Sequence, residues 1–68
     1  MSYDRRFITQ KEYKEISSLM LKKGISDKAI SRRGGVFFRV SDFRSFMKGQ
    51  KIIEETYIKE LIKWLKSL

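Results

Sequence analysis

The 68-residue chain contains no cysteine, no histidine and no proline. Without cysteine there is no disulfide framework, no thiolate nucleophile and no sulfur-based metal site. Without histidine the commonest metal ligand, and the side chain best suited to general acid–base chemistry near neutral pH, are missing as well. Carboxylates are scarce: eight Asp and Glu are scattered along the sequence. No close helical pair of them shares a cleft, so neither a metal cage nor an obvious general base emerges. The expectation is a protein with no catalytic residues, no metal ligands and no cofactor. Long apolar runs are also absent. None approaches the roughly 18 residues needed to span a bilayer, and the opening MSYDRRF lacks the apolar core of a signal peptide. The expected protein is therefore soluble and cytoplasmic, without a membrane partner.

What the chain has is positive charge. Sixteen Lys and Arg against eight acids give a formal net charge of +8, on a chain that is 41% hydrophobic. That apolar fraction is too high for a disordered basic tail. A folded basic domain calls for a polyanionic partner, and nucleic acid is the commonest, because each phosphate neutralised by Lys or Arg releases condensed counterions. The length allows a single domain over residues 1–68 with a thin core. Nothing suggests an internal repeat, a linker or a low-complexity tract.

Residues 1–8 form an N-terminal arm, in which Arg5 and Arg6 lie beside Tyr3 and Phe7. They either reach a groove of a partner or fold back on the body, and the second is preferred. Thr9 with Glu12 fits a capping box, and Ile8 with Tyr13 the hydrophobic staple around it. A first helix should run from there to about Lys22 or Lys23. Tyr13, Ile16 and Met20, flanked by Leu19, form its inward stripe. Gly24 should end it. Ser26 is the expected N-cap of a short second helix, with Asp27 in its first turn, Ala29 and Ile30 turned inward, and Arg32 and Arg33 at its end. The two arginines suit either the last carbonyls of that helix or a phosphate.

Gly34-Gly35 breaks the chain. Val36 to Val40 alternates apolar and polar residues and is rich in β-branched and aromatic side chains, so it is a short strand or extended segment, with Ser41 capping the helix that follows. Alternatively that helix starts near Phe38. In either case Phe43, Phe46 and Met47 make an inward arc, and Gly49 stops the helix. At 100° per residue Ser41, Arg44, Ser45 and Lys48 fall together on the opposite arc, free of carboxylates. Such a face suits DNA: Arg reads guanine bidentately, serine bonds to base edges or phosphates, and Lys supplies charge. Lys51, Ile52 and Ile53 then connect to a last helix over about Glu54 to Leu68. Its apolar arc of Tyr57, Leu61, Trp64, Leu65 and Leu68, widened by Ile58 and Ile62, is broad enough to close the core and to offer a homodimer contact.

These residues resemble the lambda-repressor/Cro-like family of helix-turn-helix DNA-binding domains. The match rests on Gly24-Ile25-Ser26 opening the second helix, Gly35-Val36 at the turn, Phe43 and Phe46 inside the third helix, Lys48-Gly49 ending it, and Tyr57, Leu61 and Leu65 in the last. It covers roughly residues 9–68. It implies an all-α domain of four to five helices, with one short strand possible at residues 36–40 and residues 41–48 as the recognition helix in the major groove. It also implies a phage- or bacterial-type repressor that binds double-stranded DNA as a dimer. The implied DNA contacts are Ser41, Arg44, Ser45 and Lys48; in a regulator of this kind Lys28, Arg32, Arg33 and Lys51 are expected on flanking phosphates. The chain departs from the family at Gly34, where a core leucine is usual, and by the added length at Phe37-Phe38. A second resemblance, of GGVFFRVSDFRSFM to the wing strand and final helix of excisionases and other MerR-like winged helices, implies an architectural DNA-binding protein in which Arg39 lies on a wing beside the minor groove. A third possibility is a small protein-interaction or inhibitor module.

Overall fold

A computed structural model describes residues 4–32 and 39–68. Its first helix, α1 (Gln10–Lys23), starts where the local chemistry predicts. The Thr9 hydroxyl accepts from the Glu12 amide at 3.1 Å, and the Glu12 carboxylate accepts from the Thr9 amide at 3.1 Å, which closes the capping box. The helix ends at Gly24, whose φ of 68° lies in the left-handed region that side-chain-bearing residues rarely adopt. The Ile25 amide then reaches back to the Met20 carbonyl at 2.9 Å, the six-to-one bond of a Schellman ending.

The second helix, α2 (Asp27–Arg32), is capped by Ser26, whose Oγ accepts from the Ala29 amide at 3.3 Å. The third, α3 (Val40–Met47), begins one residue before the expected Ser41. Arg39 holds the N-cap position without any side-chain cap, and its carbonyl accepts from the Asp42 and Phe43 amides at 3.1 and 3.4 Å. Ser41 is therefore inside the helix. Phe43 and Phe46 share the inner side of α3 with this start as they would with the later one, and both are buried. A strand over residues 36–40 is not formed at its described end: Arg39 lies in a bend and Val40 is helical. Residues 36–38 lie outside the described part of the chain, as does Phe38, the alternative helix start.

A short strand does exist, elsewhere. Strand β1 (Arg5–Arg6) pairs antiparallel with β2 (Ile53–Glu54), Arg5 opposite Glu54 and Arg6 opposite Ile53. The Glu55 amide extends this ribbon by donating to the Asp4 carbonyl at 2.8 Å. The described part of the arm thus folds back on the body. Ile53, expected in a connection, is a buried core residue. The last helix, α4 (Glu55–Ser67), follows directly. The result is a mostly helical domain of four helices with one two-stranded ribbon among the described residues.

All four helices and β2 supply the core: Ile16, Ile30, Phe43, Phe46, Ile53, Ile58, Leu61 and Leu65, each at most 3% exposed. Ile8, Leu19, Met20, Ile25, Met47, Ile62 and Trp64 pack around them. No buried polar side chain interrupts this cluster among the described residues. Three expected members stay outside: Tyr13 in α1 is 46% exposed, and the deep stripe of α4 is Ile58, Leu61 and Leu65 rather than one including Tyr57 and Leu68. Residues 58, 61 and 65 follow the i, i+3, i+7 spacing of a single helical stripe, and Tyr57 falls to its side.

Arg6 ties the ribbon to two helix starts. Its Nη1 and Nη2 donate to the two Glu12 oxygens at 2.6 and 2.8 Å, and its Nε donates to Glu55 at 3.2 Å. The Arg6 guanidinium, helped by hydrogen bonds from Thr9 and opposed by partial burial, holds the Glu12 carboxyl at about 2 instead of 4.5. Because the folded value lies below the unfolded one, the stabilisation is complete above about pH 4.5 and is lost as pH falls from there through about 2. A Glu12→Gln variant should be less stable than the unaltered protein by on the order of 2 kcal/mol at pH 7. The two should draw together as pH falls below about 4.5 and converge only near pH 2. Thermal unfolding followed by circular dichroism across that range checks this, and parallel pH profiles would show that the Arg6–Glu12 pair adds nothing.

Candidate nucleic-acid interface

Helices α2 and α3 pack on one another through Ile30, Phe43 and Phe46, and this fixes which side of α3 faces outward. On that outer side Ser41, Arg44 and Lys48 are exposed and Ser45 is half-buried, so the four residues expected on one arc do share the surface. Gly49 holds the end of the arc in place. Its φ is 74°, its amide donates to the Phe46 carbonyl at 3.0 Å, and the Gln50 amide donates to the Ser45 carbonyl at 2.9 Å. A β-carbon at Gly49 would meet no neighbouring atom, so the need for glycine there is conformational rather than steric.

The flanking cations fall into two groups. Lys28 and Arg32 on α2, Arg39 at the start of α3, and Lys48 near its end are exposed and have no carboxylate partner among the described residues. Arg44 and Lys51 are paired. Arg44 Nε donates to Asp27 Oδ2 at 2.9 Å, across from α3 to α2, and Lys51 Nζ lies 3.0 Å from Asp42 Oδ1. Asp27 and Asp42 are the only carboxylates between Gly24 and Lys51. Each is engaged by a cation within the protein, which offsets part of its repulsion toward an approaching phosphate. Arg33 lies outside the described residues. These two ion pairs were not visible in the sequence, since separations of 17 and 9 residues match no helical spacing.

Arg5, Lys51, Ile52, Ile53, Glu54 and Tyr57 line a cleft of about 220 Å³. That is below the roughly 300 Å³ at which ligand pockets usually begin. No three acidic side chains gather into a cation site among the described residues. No described helix is long and apolar enough to cross a membrane. Of the five α4 residues expected at a homodimer contact, Leu61 and Leu65 are fully buried in the protomer's own core and cannot reach a second copy. Tyr57 and Leu68 are 40% and 49% exposed, and Trp64 is half-buried.

No protein-family model, curated protein or solved structure matches this chain.

Proposed function

We propose that this chain is a non-catalytic, sequence-specific double-stranded DNA-binding protein that acts as a transcriptional regulator of the phage or bacterial repressor type. One observation carries the proposal. The outer face of α3 presents Ser41, Arg44, Ser45 and Lys48, exposed cations without carboxylate partners among the described residues stand on α2 and at both ends of α3, and Asp27 and Asp42 are each engaged by a cation within the protein. An eight-residue helix is about 12 Å long, and the major groove, about 12 Å wide, admits one with its side chains at base edges. Arg44 and the two serines then read bases, while Lys28, Arg32, Arg39, Lys48 and Lys51 contact phosphates and set the register. Occupancy of the site blocks polymerase.

Two alternatives are less well supported. A wing carrying Arg39 would continue as a strand into Val40, but Arg39 caps α3 and Val40 begins it. A docking module built on the breadth of α4 loses most of that breadth to the core.

The test is equilibrium binding to a random-sequence duplex between about 50 and 200 mM salt, followed by selection of preferred sites from a random pool. Four to five phosphate contacts predict a slope of log affinity against log salt of roughly −4, at about −0.9 per contact. The selected pool should contain a motif several base pairs long with a guanine at one fixed position. Absence of binding at 50 mM salt sinks the proposal.

A further inference from the structure

The bridge from α2 to α3 assigns a role to a residue that itself contacts no DNA in the proposed complex. Asp27 accepts one hydrogen bond from Arg44, at Nε, 2.9 Å away. The two terminal Nη groups of Arg44 have no protein partner among the described residues. The Arg44 side chain is 63% exposed, and that of Asp27 34%. An arginine with this exposure otherwise samples many rotamers, and its order is lost entropy when it binds. Anchoring at Nε removes much of that freedom while leaving the end-on fork of two NH₂ groups, the pair of donors that matches O6 and N7 of guanine.

We infer that Asp27 is a positioning residue that holds Arg44 ready for bidentate recognition of one guanine. The inference rests on the proposed DNA-binding function and adds to it a specificity determinant on the other helix. An acid beside a DNA-binding face is, on charge alone, unfavourable: removing it should strengthen binding to any duplex. As a positioning group it does the opposite for the cognate site. The two roles therefore move two measurable quantities in different directions.

The experiment compares the unaltered protein with Asp27→Ala, Asp27→Asn, Arg44→Ala and the double variant. Each is titrated with the selected duplex, with the same duplex carrying each other base pair at the guanine position, and with random duplex. Asp27→Ala should bind random duplex severalfold more tightly because a negative charge is gone. It should also lose about tenfold of its preference for guanine, within the roughly 5- to 150-fold that one bidentate contact provides. Asp27→Asn keeps an acceptor oxygen for Nε and should retain an intermediate preference. The double variant should discriminate no worse than Arg44→Ala, as required if Asp27 acts only through Arg44.

Full guanine preference in a folded Asp27→Ala protein would reduce Asp27 to a tie between helices and overturn the inference alone. Equal loss of preference in Asp27→Asn and Asp27→Ala, with the double variant no worse than Arg44→Ala, supports the positioning role and assigns it to the carboxylate charge. Should Asp27→Ala unfold, Asp27→Asn decides: preference equal to that of the unaltered protein overturns the inference, and reduced preference supports it. If the unaltered protein binds no duplex at 50 mM salt, the DNA-binding function falls and the inference with it.

Discussion

Phe46→Ala should cost about 3–5 kcal/mol of folding stability and leave much of the protein unfolded at 37 °C. Phe46 is 0% exposed and lies with Phe43 on the inner side of α3, packed with residues from the other helices. Truncating a fully buried phenylalanine removes its transfer free energy and leaves a cavity that a close-packed core refills only in part. A 68-residue domain has roughly 3–10 kcal/mol in total at 0.05–0.15 kcal/mol per residue, so this single loss is comparable with the whole. The same change should abolish DNA binding, because the outer face of α3 is oriented only by what its inner face buries. Urea unfolding monitored by circular dichroism measures the effect. A loss below about 1 kcal/mol would mean that α3 is not anchored through Phe46 and that its outer arc has no fixed orientation. Phe46→Leu, which keeps most of the volume, should cost markedly less and retain binding.

That coupling of inner to outer face explains which parts of the fold were legible in the sequence. The α1 capping box, Gly24 and Gly49 endings and the Ser26 cap each depend on atoms within a few residues of one another, and each forms as expected. So does the partition of α3 into a phenylalanine side and a Ser-Arg-Lys side, since helical geometry alone sets it. What the sequence did not reveal depends on distant partners. Two-residue strands at Arg5–Arg6 and Ile53–Glu54 carry no periodicity from which a strand is recognised, and they pair across most of the chain. Glu12 looks like a capping residue and is one, yet it also receives both terminal nitrogens of Arg6. At the candidate site, the exposed arc was legible and its electrostatics were not. Nothing local distinguishes Arg44, held by Asp27, from Lys48, which has no carboxylate partner among the described residues.

That distinction leads to the second large effect. Changing Lys28, Arg32, Arg39 and Lys48 together to alanine should reduce affinity for random duplex by about 10³–10⁴-fold near 0.1 M salt, since each phosphate contact contributes roughly eightfold there through counterion release. The salt slope should flatten by about 3.6. Because these side chains are exposed and without carboxylate partners among the described residues, each substitution should alter stability by no more than about 0.5 kcal/mol. Loss of binding would then not be loss of fold. Net charge must be separated from position, and the chain supplies its own control. Lys11, Lys14 and Lys22 on α1 and Lys63 on α4 are also exposed, and also lack carboxylate partners among the described residues. Changing those four to alanine lowers the net charge from +8 to +4, the same as in the first variant. If DNA lies against α2 and α3, the control should lose no more than about tenfold, through long-range attraction that is largely screened beyond a Debye length of about 10 Å. Equal losses in the two variants would mean that the protein is attracted to DNA as a diffuse polycation. The α3 face would then have no claim to be the interface, and Arg44 no guanine to read.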